Sequence, residues 1–203
     1  MTIRRRARQA DATLARLASG GPVKEVAPIA RGDFPIVALG ASAGGLEAAS
    51  KLLDVLPADS GTAFILIQHL DPTHESLMVK LLSGHTAMKV QQAADLMPLE
   101  RDHVYVIPPR SYLSIGEGAL HLSTPRERHG ARLPFDFFLH SLAKECGERA
   151  ICVILSGTGA DGSLGVKAIK ENGGLVITQD PTDGPLATLL RGPKSTALLY
   201  CPL

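Results

Sequence analysis

Two stretches of this chain, Ala63 to Ile67 and Ala150 to Leu155, are apolar at every position over the length of one strand. A strand with one face in water alternates polar and apolar residues. An unbroken apolar run instead requires cover on both faces, as in a parallel sheet packed between layers. Other segments fit that arrangement. Phe34 to Leu39 is a short β-rich run stopped by Gly40, and Leu46 to Leu56 repeats apolar residues at helical spacing. Thr73 is placed to cap a helix whose apolar face would be Leu77, Met78, Leu81 and Leu82, with Gly84 near its end. Val104 to Ile107 reads as a strand closed by Pro108-Pro109, and Tyr112 to Ile115 with Ala119 to Leu122 as a hairpin. Pro134 to Cys146 reads as a helix, as does the segment ending at Asn172, and Leu175 to Thr178 as a further strand. Strands alternating with helices predict an α/β fold: a doubly wound, mainly parallel sheet with right-handed crossovers and helices on both faces.

Composition narrows the function classes. Of 203 residues, 45% are hydrophobic and 20% charged, which excludes disordered, collagen-like and coiled-coil chains. Lys+Arg number 21 against 20 for Asp+Glu, so a net charge of +1 gives no field to draw the body onto nucleic acid or an anionic membrane. No apolar run approaches the roughly 20 residues of a membrane span. Three cysteines, Cys146, Cys152 and Cys201, lack metal-ligand spacing, and their odd number argues against a disulfide framework, so a reducing, cytoplasmic location is expected. Residues 1–33 carry Arg4, Arg5, Arg6, Arg8 and Arg16 among small residues and prolines. They read as a basic, disordered extension, with a membrane-surface or nucleic-acid arm and an organelle-targeting peptide as alternatives. The body is then expected over 34–180 and a C-terminal tail over 181–203.

Catalytic and binding groups of such sheets gather at the carboxyl ends of the strands. Gly40-Ala41-Ser42-Ala43-Gly44 follows the first strand and precedes a helix, the setting in which G-x-S-x-G forms a nucleophile elbow. Small neighbours permit the sharp turn, Ser42 is the candidate nucleophile, and the Ala43 amide can face a developing oxyanion. The plainer alternative is a tight turn with a capping serine. The run from Ala63 ends in Gln68-His69, which puts an imidazole where it can take a serine proton. The other six histidines, His74, His85, His103, His121, His129 and His140, fall in expected loops or helices. The run from Ala150 ends in Ser156-Gly157-Thr158-Gly159-Ala160-Asp161-Gly162, where Asp161 can orient His69 and complete a triad. The same turn is also a literal Gly157-x-Gly159-x-x-Gly162 dinucleotide fingerprint, with Asp180 at a plausible ribose-binding distance. A fingerprint normally opens its domain, and this one would leave Ser42 and His69 without a role. No carboxylate pair or His/Cys cluster suggests a metal, and Arg126, Arg128 and Arg132 read as a solvated basic loop.

The strings FPIVALGASAGGLEA, FILIQHLDPTHESLMVKLL, HVYVIPP, FDFFLHSLA and ICVILSGTGADGSLGVKAIKENGG occur in that order between Phe34 and Gly174. Together they closely resemble the CheB-type protein-glutamate methylesterase domain, in the version found at the head of fused methylesterase–methyltransferase proteins. The resemblance implies a doubly wound parallel α/β sheet and hydrolysis of glutamyl methyl esters on chemoreceptors, releasing methanol, often with deamidation of receptor glutamines. It implies catalysis by Ser42, His69 and Asp161, with main-chain amides near Ala43 and Thr158 forming the oxyanion hole. Many family members carry methionine in place of Thr158, a change that a main-chain donor tolerates. No cofactor or metal is implied. The implied partners are a methylated chemoreceptor and other chemotaxis or two-component signalling proteins, with no nucleic acid and no membrane insertion. The best-known members begin with a phosphorylated receiver domain. Residues 1–33 are too few for one, so that control is expected to be absent from this chain. The family pattern continues beyond Asp180 through a Gly-Met-Pro segment, whereas 181–203 reads as a divergent tail. A catalytically inactive receptor- or partner-binding module is the alternative from another class.

Overall fold

A computed structural model describes residues 33–41, 45–68, 75–124, 133–155, 161–179 and 198–201. Strand β1 (Ile36–Ala41) sends successive side chains to opposite faces, and both faces are covered. Ile36 and Ala38 join one buried cluster, while Val37 and Leu39 join the other. β2 (Ala63–Gln68) divides in the same way: Ala63, Ile65 and Ile67 on one side, Phe64 and Leu66 on the other. That two-sided burial is the physical reason for the unbroken apolar runs.

The remaining strands are β3 (Lys89–Gln92), β4 (Met97–Pro98), β5 (His103–Val106), β6 (Tyr112–Gly116), β7 (Ala119–Ser123), β8 (Ala150–Ile154), β9 (Leu175–Gln179) and β10 (Leu198–Cys201). Seven strands form one sheet in the order β10-β9-β8-β1-β2-β5-β3, and every pairing in it is parallel. Helices α1 (Gly45–Val55) and α2 (Glu75–Leu82) cover one face through Ala48, Ala49, Leu53, Met78 and Leu82. Helices α3 (Pro134–Cys146) and α4 (Ser163–Glu171) cover the other, with Phe138, Leu139, Leu142 and Ile169 buried there. The expected doubly wound α/β architecture is therefore present. A second, antiparallel sheet β4-β7-β6 packs against α3 on the same side, contributing Leu113, Ile115 and Leu120 to the core. Its hairpin turns through Glu117 (φ 53°) and Gly118 (φ 78°), two left-handed residues that match the twist of the flanking strands.

Three expectations need revision. Of the four residues expected on the apolar face of α2, Met78 and Leu82 are buried, whereas Leu77 and Leu81 are 54% and 43% exposed, so that face is half as wide as the sequence suggests. His103 opens strand β5 and His121 lies in β7, rather than in loops or helices. Strands β3, β4 and β10 have no counterpart in the sequence reading, although β10 extends the sheet beyond β9. Thr73 lies outside the described residues, as do 1–32 and most of 181–203.

Candidate active site

From β1 the chain moves to β2 on one side and later returns to β8 on the other, so the strand order reverses at β1. A parallel sheet opens a crevice beyond the carboxyl ends of its strands at such a point. β1 and β2 stay in register to their last pair, Ala41 and Gln68. β8 is tied to β1 up to its exit, where the Leu155 amide donates to the Gly40 carbonyl (2.9 Å). Ser42 and His69 directly follow Ala41 and Gln68 in the chain. Ser42, Ala43, His69 and Thr158 lie outside the described residues; Asp161 lies within them.

The Asp161 carboxylate is held at both oxygens. The Phe135 amide donates to Oδ2 (3.0 Å) and the Asp136 amide to Oδ1 (2.9 Å). These are first-turn N–H groups of α3, which have no carbonyl partner within their own helix. The α3 N-cap residue, Leu133, makes no side-chain cap, and Pro134 has no N–H to give. Asp161 therefore supplies a cap from a distant part of the chain. A carboxylate anchored in this way has a fixed plane, which an orienter of an imidazole requires.

The first turn of α3 also touches both sides of the crevice. A Cβ on Gly40, two residues before Ser42, would collide with the Phe135 ring, and one on Gly162, beside Asp161, would lie 2.7 Å from it. Gly162 adopts φ 106°, a left-handed conformation that L side chains rarely take. The Asp136 side chain, 5% exposed, accepts the Gly165 amide at Oδ1 (2.6 Å) in the first turn of α4. Neither Phe135 nor Asp136 was among the residues singled out in the sequence. An acid in a helical first turn is a common signal, but nothing local says which amide it reaches.

That same bond weakens the dinucleotide alternative. A pyrophosphate would need the first-turn amides of α4, yet one is already taken by a buried carboxylate. Cys146 and Cys152 offer no rival nucleophile. Burial pushes the Cys146 thiol up to about 11, and Cys152 on β8 is raised further still by burial and then by the Asp136 charge. Both therefore stay protonated and unreactive near neutral pH. Of the other histidines, His85 Nδ1 lies 3.0 Å from Asp54 Oδ1, and His121 Nε2 lies 3.2 Å from the Gly116 carbonyl. The first joins the end of α1 to the residues after α2, and the second lies within the small antiparallel sheet, so neither is at a carboxyl end of the main parallel sheet.

The sequence matches the CheB methylesterase family over residues 37–189. A Bordetella avium protein named protein-glutamate methylesterase/protein-glutamine glutaminase 1 is 34% identical over 168 residues, covering 82% of this chain and 48% of that protein. The Myxococcus xanthus protein-glutamate methylesterase FrzG is 34% identical over 148 residues, covering 72% of this chain and 44% of the relative. The chain thus spans about half the length of these curated relatives. In three dimensions it is similar to the crystal structure of the Thermotoga maritima CheB methylesterase catalytic domain, with a TM-score of 0.67 and 28% identity over 72% of this chain and 80% of that one.

Proposed function

This chain belongs to the CheB methylesterase family, and on that premise we propose that it is a serine esterase hydrolysing the methyl esters of glutamate side chains on a chemoreceptor. The Ser42 hydroxyl attacks the ester carbonyl carbon and gives its proton to His69. Amides of Ala43 and Thr158 stabilise the tetrahedral oxyanion. Collapse breaks the carbonyl–methoxy bond, and methoxide takes the proton from His69 and leaves as methanol. Water then loses a proton to His69, attacks the acyl-enzyme, and releases the glutamate carboxylate while Ser42 regains its hydrogen. Asp161 holds the imidazole and stabilises its protonated form throughout. A receptor glutamine presents the same carbonyl, with ammonia as the leaving group. The substrate would be met in the cytoplasm, in company with chemotaxis or two-component signalling proteins. Among the described residues no helix is long and apolar enough to cross a membrane.

The observation that carries this reading is the Asp161 carboxylate, fixed at 3.0 and 2.9 Å by two main-chain amides at the switch point of the sheet. The purified chain should release methanol from membranes bearing a methylated chemoreceptor, and Ser42→Ala should abolish release without lowering the melting temperature. Undiminished release from that variant would overturn the assignment. A folded wild-type chain that releases none would favour the inactive docking module.

A further inference from the structure

Two carboxylates exchange helix caps beside the crevice. Asp161, in the turn leading into α4, caps α3 through the amides of Phe135 and Asp136. Asp136, within α3, caps α4 through the amide of Gly165. The two helices lack caps of their own: Leu133 and Gly162, at their N-cap positions, contribute no side-chain bond. Gly165 makes the exchange possible, since a Cβ there would lie 2.5 Å from the Leu139 Cβ and 3.2 Å from the Asp136 Cα. Each bond therefore depends on the position the other sets. If the Gly165 amide loses its acceptor, the first turn of α4 is released, and Asp161 stands only two residues before that turn.

We propose that Asp136 is a positioning residue for the esterase, holding the Asp161 carboxylate in the plane that orients His69 by fixing the start of α4. The inference rests on the assignment of Asp161 to the triad. Asp136 touches no substrate; it acts through Gly165 and the 161–165 turn. Asp161 faces Asp136 across the two helix starts, and the Cys152 thiol, protonated near neutral pH, faces it from β8.

Methanol release from membranes carrying a methylated chemoreceptor, measured against pH with the full chain, tests this. Asp136→Ala should lower kcat roughly 10- to 100-fold with KM little changed, the size of effect expected from a small misplacement of a catalytic group. The acidic limb of the kcat/KM profile should also move to lower pH, because an imidazolium less well faced by Asp161 loses its proton more readily. A purely structural role would lower the melting temperature and the active fraction but leave that limb in place. Asp136→Asn keeps volume and an acceptor for Gly165 but loses the charge that strengthens the bond. It should therefore fold, with a smaller loss of roughly 3- to 10-fold and a limb displaced in the same direction. Should the alanine variant fail to fold, the asparagine variant decides alone. Wild-type kcat and an unmoved limb in the folded variants would overturn the proposal. Asp161→Asn separates the two levels. If it retains full activity the triad assignment fails, whereas a collapse there with normal Asp136 variants defeats only the role of Asp136.

Discussion

At the scale of single residues, the site is set by what glycine leaves out. The Phe135 ring, 5% exposed, fills the volume where Gly40 and Gly162 have no side chains, and so bridges the end of β1 and the start of α4. Gly40→Ala would drive a methyl group into that ring, which is enclosed and has little room to yield. Overpacking of this kind costs about 1–3 kcal/mol. A urea titration should show the midpoint falling by a corresponding amount, and Phe135→Leu should partly restore it, because residues in contact are not additive. Additive losses in the double variant would mean that the ring does not bear on Gly40. Asp161 was legible in the sequence because its turn carries a recognisable motif. Its partners were not, since the bonds to Phe135 and Asp136 span 26 and 25 positions and leave no periodic trace.

At the scale of elements, legibility follows burial. β1, β2 and β8 declared themselves because both of their faces are covered, which forces apolar residues at consecutive positions. β3 reads Lys-Val-Gln-Gln and forms one edge of the main sheet, so it needs no such run and gives no signal. β4 is two residues long, too short for any pattern. The helix α2 shows the opposite error, with more leucines than it buries. Leu77 and Leu81 follow one another at i, i+4 on the outer side, while Met78 and Leu82 are 6% and 0% exposed against the sheet. Leu82→Ala should therefore cost about 2–5 kcal/mol, the range for emptying a fully buried leucine site. Leu77→Gln should stay within about 0.5 kcal/mol, as a surface change away from any cap or network does. Denaturant midpoints of the two variants check the contrast, and equal losses would mean that the helix packs with both rows.

At the scale of the whole molecule, covering both faces of the sheet places ionisable groups where their charged forms are unfavourable. Tyr105 is fully buried, its hydroxyl donating to the Pro98 carbonyl (3.2 Å) and accepting the Glu100 amide (2.9 Å). Burial raises its pKa, as it does for Cys152, and holds the Cys146 thiol at about 11 against an ordinary 9.0. These three groups are neutral when protonated, so below about pH 8 the thiols bind their protons almost equally in the folded and unfolded states and contribute little to pH dependence. Above that pH the unfolded chain gives up thiol protons that the folded chain still holds, and stability must fall. For Cys146 the window runs from its unfolded value to about 11, and the loss amounts to roughly 2–3 kcal/mol once both limits are passed. Cys152 and Tyr105 extend the decline in the same direction. Unfolding free energy measured under reducing conditions should therefore decline steadily as pH rises from 9 to 11. Cys146→Ala should decline less steeply over that interval, whatever its stability at neutral pH. Parallel slopes for the two proteins would show that Cys146 meets solvent in the folded state and that the floor of the α3 layer is open there.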